Sequence, residues 1–323
     1  MTIAVLVLPG FSHLALHAYL EPLHIANSVL KEQRFRWRIA GMDCRPVAGA
    51  NGIAVPVEVT IDMLRACVKS NEIDQLVVVS GEPVEGFCTA ALNSLLRDVA
   101  RCGVGISAIG TATWLLARAG LLTNSHCTIH WSRFAAFSEV FRKPRIQNSL
   151  FVKDGQYSTC AGELAAFDLA VDFIGAHAGA FIAKEVCRYA TVEGQRSGSK
   201  RQTDGAATGF GKVSNKFVAA ITTMEQTIEF PVPVFWLSKR IGISRRQLER
   251  LFVTHVGMTP AKYYLKVRID HARRLIEGTQ LPIVDVAIAS GFVSASHFAK
   301  CFRNMHGISP QECRAMAPTW VVF

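Results

Sequence analysis

The hydrophobic positions of this chain follow two different patterns. Before residue 190, apolar runs of strand length alternate with stretches of helical periodicity, which is typical of parallel strand–helix–strand crossovers. Residues 1–192 are therefore predicted to form an α/β domain, a sandwich built on a parallel sheet. The expected strands are residues 3–8, 36–40, 55–57, 76–79 and 105–109, and the expected helices are residues 14–31, 61–70, 86–101, 113–119 and 164–189.

The pattern changes after residue 192. Residues 193–211 contain few large apolar side chains and many Gly, Ser, Thr and charged residues, a composition that predicts a flexible linker. Residues 212–323 show only helical periods, interrupted by Gly and Pro, so the second domain is expected to be all-α. A chain of 323 residues is long enough for two domains, at roughly 100–200 residues each.

Composition narrows the class of protein. A hydrophobic fraction of 50% with 19% charged residues excludes a disordered chain, and the apolar runs are much shorter than the roughly 18 residues of a membrane span. The first apolar run has no basic segment before it and ends at Pro9, so we expect a strand there and not a secretion signal. Nine scattered cysteines without a Cys-x-x-Cys pair indicate reduced thiols in a cytoplasmic protein, and no metal or cofactor motif is recognised.

The positive charge is concentrated at one end of the chain. The net charge is zero over residues 1–194, +2 over residues 195–210 and +8 over residues 211–323, which accounts for the +10 of the whole chain. A neutral domain joined to a basic one suggests that the first binds a small molecule or a protein and that the second binds a polyanion. The alternative is a solvated basic face without a partner.

The basic domain contains an internal repeat. Ser238 and Gly242 are matched by Ala287 and Gly291 at an offset of 49, and residues 251–260 are matched by residues 301–310 at an offset of 50. In a helix-turn-helix, the first helix needs a small residue where it approaches the second, and the turn needs a residue that tolerates positive φ. We therefore expect two helix-turn-helix units, at about residues 234–254 and 283–304.

The second helix of each unit would present a polar face to DNA. Ser244 and Gln247 have the spacing of a capping box, and Leu248, Leu251 and Phe252 would then face inward. In the second unit Ser294 or Ala295 would begin the helix. The residues expected to contact base edges are Arg246, Glu249, Arg250, Ser296, His297 and Lys300, and those expected to contact the DNA backbone are Arg245 and Arg303.

Residues 260–277 have helical periodicity and predict one continuous helix, about 27 Å long, between the two units. Such a helix could hold the second helices of the two units, the reading helices, in successive major grooves, which lie about 34 Å apart on one face of DNA. The run from Ala287 and Gly291 through Phe298 and Phe302 to Pro310 resembles the signature of AraC/XylS-type transcription regulators, over about residues 217–315. This resemblance implies a seven-helix domain that binds promoter DNA and recruits RNA polymerase.

The first domain contains a strand, a tight turn and a helix over residues 105–122, an arrangement that holds nucleophiles or anions. Together with Pro9-Gly10-Phe11, Glu21-Pro22-Leu23 and Thr128–Trp131, it resembles the DJ-1/PfpI superfamily of class I amidotransferase-like proteins, over about residues 1–180. The tight turn between this strand and helix is called the elbow here. Enzymes of that superfamily carry Cys at this position, where this chain has Gly110. Because glycine has no side chain that could attack a carbonyl, we expect a domain without catalytic residues.

The combination of the two domains resembles the GlxA-type regulators, a subgroup close to those that control arginine, glycine betaine and carnitine catabolism. The resemblance implies a homodimer and an inducer in the vestigial pocket, and Glu21 with Trp114 or Trp131 suggests a zwitterionic amine or amino acid. The alternative for Trp114 and Trp131 is a place in the core or in a dimer interface. The expected ligand-binding residues are Phe11, Glu21, Gly110, Thr111, Trp114, His130, Trp131 and Cys160.

Three functions fit these features to different degrees. The favoured one is a ligand-responsive transcription regulator, an activator of amine or amino-acid catabolic genes. The second is a DJ-1-like hydrolase or amidotransferase with an appended DNA-binding module, and Gly110 argues against it. The third is an architectural DNA-binding protein whose first domain only dimerises.

Overall fold

The computed structural model describes residues 1–202 and 215–316, and these form two compact units. Among the described residues, no helix is long and apolar enough to cross a membrane. The strands of the first unit are β1 (Thr2–Val7), β2 (Arg36–Gly41), β3 (Val47–Ala48), β4 (Ala54–Val55), β5 (Val59–Thr60), β6 (Gln75–Ser80), β7 (Gly105–Gly110), β8 (His126–Cys127), β9 (Arg145–Ile146), β10 (Phe151–Asp154) and β11 (Tyr157–Cys160). Its helices are α1 (His13–Leu30), α2 (Ile61–Lys69), α3 (Ala90–Arg101), α4 (Thr113–Arg118), α5 (Phe134–Val140), α6 (Ala165–Ala178) and α7 (Ala180–Tyr189), with 3-10 turns at Val84–Phe87 and Trp131–Arg133.

A seven-stranded sheet forms the centre of the first unit. Its order is β10-β11-β7-β6-β1-β2-β5, and every neighbouring pair is parallel except the antiparallel hairpin of β10 and β11. Successive side chains of a strand point to opposite faces. Accordingly Ile3, Val5 and Val7 belong to one buried cluster, whereas Ala4 and Leu6 belong to the cluster on the other face. The α/β sandwich predicted from the sequence is confirmed.

Several elements differ from the expected ones. The predicted strand at residues 55–57 is part of a small hairpin of β3 and β4, whereas β5 joins the main sheet. The predicted helix at residues 164–189 is two helices, because Gly179 lies between them with φ +94°. The hairpin of β10 and β11 was not predicted, since half of its residues are polar or charged and the apolar runs are short.

The first part of the expected linker is held against the first unit. The Asp168 carboxylate accepts hydrogen bonds from the Arg196 backbone N–H at 2.7 Å and from its guanidinium at 2.6 and 2.9 Å. The buried Gln202 amide donates to the Ile129 carbonyl at 2.8 Å and to Thr128 Oγ1 at 3.0 Å. The expectation of a flexible linker from residue 193 is therefore wrong for residues 195–202, and its remainder lies outside the described residues. Gly- and Ser-rich composition does not reveal these specific polar contacts.

The second unit is helical throughout its described residues, as expected. Its core joins Phe217 and Ile221 to Leu248 and Phe252, and Tyr264 donates a hydrogen bond to the Thr227 carbonyl at 2.7 Å. Its helices are α8 (Asn215–Gln226), α9 (Val234–Arg240), α10 (Arg245–Val256), α11 (Pro260–Gly278), α12 (Ile283–Ala289), α13 (Ala295–His306) and α14 (Pro310–Met316).

Candidate functional site

The first candidate DNA-reading helix, α10, begins at a complete capping box. The Ser244 hydroxyl accepts from the Gln247 backbone N–H at 3.2 Å, and the Gln247 side chain accepts from the Ser244 N–H at 2.8 Å. Leu248 and Phe252 are fully buried on its inner face. Gly242, with φ +69°, forms the turn between α9 and α10, as the spacing predicted.

The second candidate reading helix, α13, repeats this construction. Ser294 is its N-cap and accepts from the His297 N–H at 3.3 Å, while Phe298 and Phe302 are fully buried. Gly291 forms the turn with φ +75°, and a Cβ there would lie 2.3 Å from the Ile228 carbonyl oxygen. The two reading helices therefore have the same length, a serine N-cap and a turn glycine, which confirms the repeat, although only α10 has the full capping box.

A single helix connects the two reading units. Helix α11 has 19 residues, about 28 Å at 1.5 Å per residue. The Arg268 guanidinium on α11 donates to the Ser290 carbonyl at 2.9 Å and the Gly291 carbonyl at 2.7 Å, and lies 4.2 Å from the centre of the Phe292 ring. These contacts fix the turn of the second helix-turn-helix to the connecting helix α11.

The expected DNA-contacting residues lie on the outer faces of α10 and α13. Glu249 is half-buried, and its carboxylate pairs with Arg245 at 2.9 Å, so in the protein without DNA these two side chains hold each other. His297 Nε2 lies 3.3 Å from Cys301 Sγ. The remaining expected residues are all exposed: Arg246, Arg250, Ser296, Lys300 and Arg303.

The elbow of the first unit is a point where backbone segments touch. Gly110 ends β7 with φ +73°, and a Cβ on Gly162 would lie 2.9 Å from Gly110 Cα. Directly after the neighbouring strand β6, a Cβ on Gly81 would lie 1.7 Å from the Gly10 carbonyl oxygen. Gly81 and Gly162 therefore have no room for a side chain, and backbone atoms form much of this edge of the sheet.

The Thr111 hydroxyl, the nearest candidate nucleophile, is hydrogen-bonded within the protein. Thr111 Oγ1 lies 2.7 Å from the Gly81 carbonyl oxygen and 2.9 Å from Ser80 Oγ, and the residue is buried. A backbone carbonyl that accepts this proton in a hydrogen bond is not a general base that could activate the hydroxyl for attack. Helix α4, which follows, is only six residues long, so its N-terminus offers little dipole to a carboxylate.

Two of the expected ligand-binding side chains do lie at the elbow. The His130 backbone N–H donates to the Gly110 carbonyl at 3.2 Å, and His130 Nδ1 lies 2.8 Å from Ser132 Oγ. The pKa of His130 is lowered from its usual value because burial outweighs the raising effect of the Glu163 and Glu82 carboxylates. The Trp131 ring lies 5.4 Å from the His130 ring and is 44% exposed. The His130 backbone is thus bonded to Gly110, and the His130 and Trp131 rings lie next to each other.

Three other expected ligand-binding side chains are part of the core. Trp114 is 4% exposed and packs edge-on against Phe137 and Phe141, with ring centres 5.9 and 5.1 Å apart. Phe11 is fully buried. Cys160 is also fully buried, and burial raises the pKa of its thiol to about 12. Protein already covers the surface of these side chains, and for Trp114 this agrees with the alternative of a place in the core. Their role in ligand binding stays a prediction.

Glu21 is also placed away from the elbow. It is exposed on α1, nine residues after Ser12, which is the N-cap of that helix and the residue that contacts the elbow region. Nine residues of α-helix span about 14 Å. Glu21 therefore lies about 14 Å along α1 from the residue that contacts the elbow, and its role in ligand binding stays a prediction.

The structure places other charged groups at the elbow that the sequence analysis did not identify. Glu163 follows β11 with φ +48°, and the Ser12 hydroxyl donates to its Oε2 at 2.7 Å. The buried Arg133 guanidinium donates to both Glu82 oxygens and to Glu85 at 3.0 Å. Burial raises the pKa of Glu85, against the lowering effect of Arg133. An available signal was the Gly162-Glu163 pair directly after a strand end, but that strand was not recognised.

The architecture defines the class: an α/β domain with an elbow that lacks a nucleophile, together with a helical domain that carries two helix-turn-helix units. Residues 2–176 match the DJ-1/PfpI family, and residues 237–316 match a helix-turn-helix domain. The chain belongs to the AraC-family helix-turn-helix transcription regulators that have an N-terminal DJ-1/PfpI domain.

Similar proteins cover both domains. The chain is 36% identical over 314 residues to the HTH-type transcriptional regulator CdhR of Pseudomonas aeruginosa, covering 97% of this chain and 91% of CdhR. It is 33% identical over 238 residues to the HTH-type transcriptional regulator GlxA of Rhizobium meliloti, covering 74% of each chain. A solved AraC family regulator from Pseudomonas putida matches 58% of this chain and 98% of its own, with 25% identity and a TM-score of 0.52. These relatives are transcription regulators, although the DJ-1 fold is shared with enzymes.

Proposed function

We propose that this AraC-type regulator is a ligand-responsive activator of amine or amino-acid catabolic genes. The first unit would bind the inducer at the elbow, and the second would bind promoter DNA. The observation that carries the proposal is the pair of Ser-capped, 12-residue helices α10 and α13, whose outer faces are polar and mostly basic. By the family resemblance, the protein would act as a homodimer and recruit RNA polymerase.

Matching positions on the two readers are proposed to contact bases in successive half-sites. Arg250 on α10 and Lys300 on α13 are related by the repeat offset of 50, and both are exposed one turn after the start of the helix. A guanidinium or an ammonium at such a position can donate to guanine in the major groove. Arg245 and Arg303 are proposed to bind phosphates, and Arg246, Glu249, Ser296 and His297 to contribute to base reading.

The test is binding of the full chain to DNA sites selected from a random library, measured by fluorescence anisotropy. Arg250→Ala should relax the base preference at one position of one half-site by about 1–3 kcal/mol, and Lys300→Ala should act on the other half-site. Lys262→Ala, an exposed lysine on α11 outside both reading faces, is the control. Equal affinity for selected and random DNA at physiological salt would contradict specific regulation.

Features of the elbow favour a sensor over an enzyme. Gly110 stands at the nucleophile position, the Thr111 hydroxyl is satisfied by the backbone, and the Cys160 thiol is buried with a raised pKa. A buried thiol with a raised pKa is a poor nucleophile. In this proposal the first unit binds a small molecule without transforming it. DNA affinity that no metabolite changes would instead favour the architectural role.

A further inference from the structure

The carboxylate of Glu163 occupies an unusual position in the first unit. Its backbone has φ +48°, a left-handed conformation that costs stability for any residue with a Cβ. The preceding Gly162 is pressed against Gly110, since a Cβ added to Gly162 would lie only 2.9 Å from Gly110 Cα. Glu163 is thus fixed beside the elbow in a strained conformation that glycine would adopt more easily. Strain kept at such a position points to a function for the side chain.

A hydrogen bond from α1 orients this carboxylate. Ser12 Oγ accepts from the Ala15 N–H at 3.2 Å as the N-cap of α1 and donates to Glu163 Oε2 at 2.7 Å. A hydroxyl has one hydrogen, so this geometry directs it to Oε2. Glu163 Oε1 has no hydrogen-bond partner among residues 1–202 and 215–316. One oxygen of an oriented carboxylate therefore remains able to accept a hydrogen bond.

The groups around Glu163 suit an organic cation. Gly162 lies against Gly110 and the His130 N–H donates to the Gly110 carbonyl, so Glu163 and His130 belong to the same elbow. The half-exposed Trp131 ring lies 5.4 Å from the His130 ring. Recognition of a quaternary ammonium usually needs several aromatic faces. Trp114, the other tryptophan expected here, is buried in the core. A carboxylate oxygen with an open acceptor site is better suited to a cation that donates N–H bonds.

From this geometry we infer that Glu163 is the residue that binds the charged nitrogen of the inducer, and that this nitrogen carries N–H groups, as in a primary ammonium or a guanidinium. The inference rests on the proposed sensor function of the first unit. It replaces Glu21 as the partner of the cation. Ser12 acts as a positioning residue, because it orients the carboxylate and does not itself meet the ligand.

The experiment uses the full chain and two readouts, thermal unfolding and affinity for a selected DNA site. The N–H-bearing probes are L-arginine, L-lysine, putrescine and spermidine, and the quaternary probes are glycine betaine, choline and carnitine, each at millimolar concentration. Glu163→Gln keeps an oxygen that accepts from Ser12 but removes the charge. We expect it to raise the half-effective concentration of the active N–H probe at least about tenfold, while Glu21→Gln leaves it unchanged.

Glu163→Gly separates binding from structure. Glycine relieves the strain at φ +48°, which offsets the loss of the hydrogen bond from Ser12, so this variant should still fold without ligand and yet lose the response. A response that survives in Glu163→Gln or Glu163→Gly, or one given only by quaternary probes, overturns the inference and leaves the sensor function standing. If no probe alters unfolding or DNA affinity of the unsubstituted protein, the sensor function and the inference both fail.

Discussion

Replacing Gly291 by alanine should destabilise the second helix-turn-helix more than the same change at Gly242 in the first. Both glycines form the turn before a reading helix, with φ +75° and +69°. An L-residue in this conformation costs roughly 1–2 kcal/mol, which applies to both positions. The two sites differ in the space around the new methyl group, so the pair isolates the effect of packing.

The surroundings of Gly291 leave no room for a methyl group. Its Cβ would lie 2.3 Å from the Ile228 carbonyl oxygen and 2.8 Å from Pro231 Cδ, whereas at Gly242 the nearest atom is the flexible Lys216 Nζ at 3.4 Å. Overpacking of this kind typically adds about 1–3 kcal/mol. We therefore expect a loss of about 2–5 kcal/mol for Gly291→Ala and about 1–2 kcal/mol for Gly242→Ala.

The measurement is hydrogen exchange of the full chain in a urea series, followed on peptides from residues 215–316. Because the Arg268 contacts fix the Gly291 turn against α11, its displacement should also move α13. Footprinting of Gly291→Ala should then show weaker protection at the half-site that Lys300→Ala affects. Equal losses of stability in the two variants would refute the argument from the close backbone approach.

Asp168 is buried and His271 is half-buried, and replacing either should have a measurable effect. Asp168→Asn should weaken the hydrogen bonds that hold Arg196, so trypsin should cleave the native chain faster after Arg196. The control is Asp172→Asn, which alters a more exposed ion pair with Lys153 and should not change this cleavage rate. Equal cleavage rates in the two variants would contradict the expectation. His271 has its pKa lowered from 6.5 to about 4, mainly by burial. The unfolded chain therefore binds this proton at a higher pH than the folded chain does. The contribution of His271 to the free energy of unfolding is complete above pH 6.5 and falls by up to about 3 kcal/mol as the pH drops to 4. His271→Gln should remove this pH dependence, measured by urea unfolding at several pH values.

The helical domain was largely predictable because its signals are local. Turn glycines, N-cap serines and inward aromatic residues lie within a few positions of one another, and their chemistry limits the backbone directly. The outer faces of α10 and α13 follow from the helical period once the buried positions are known. Because the two helix-turn-helix units show the same signals, the prediction of each one supports the prediction of the other. The expected DNA-contacting residues are consequently on the surface that the spacing indicated.

The proposed ligand site was harder to locate from the sequence, because its residues are distant from one another along the chain. Ser12, Gly110, His130 and Glu163 come from four separate segments, and only the parallel sheet brings these segments to one edge. Residue type and resemblance alone place Trp114 and Glu21 in the site. Their actual positions depend on which face of a helix meets the core and how far along it they lie.

Neighbouring residues alone were enough to establish an α/β domain and a basic helical domain with two DNA-reading units, because hydrophobic period, charge and turn chemistry are local properties. The three-dimensional contacts were needed to establish that residues 195–202 bind the first unit, that the Thr111 hydroxyl is hydrogen-bonded and the Cys160 thiol buried, and that a Glu163 carboxylate lies at the elbow. These properties depend on burial and on contacts across the fold, since a group's reactivity is set by the atoms that surround it.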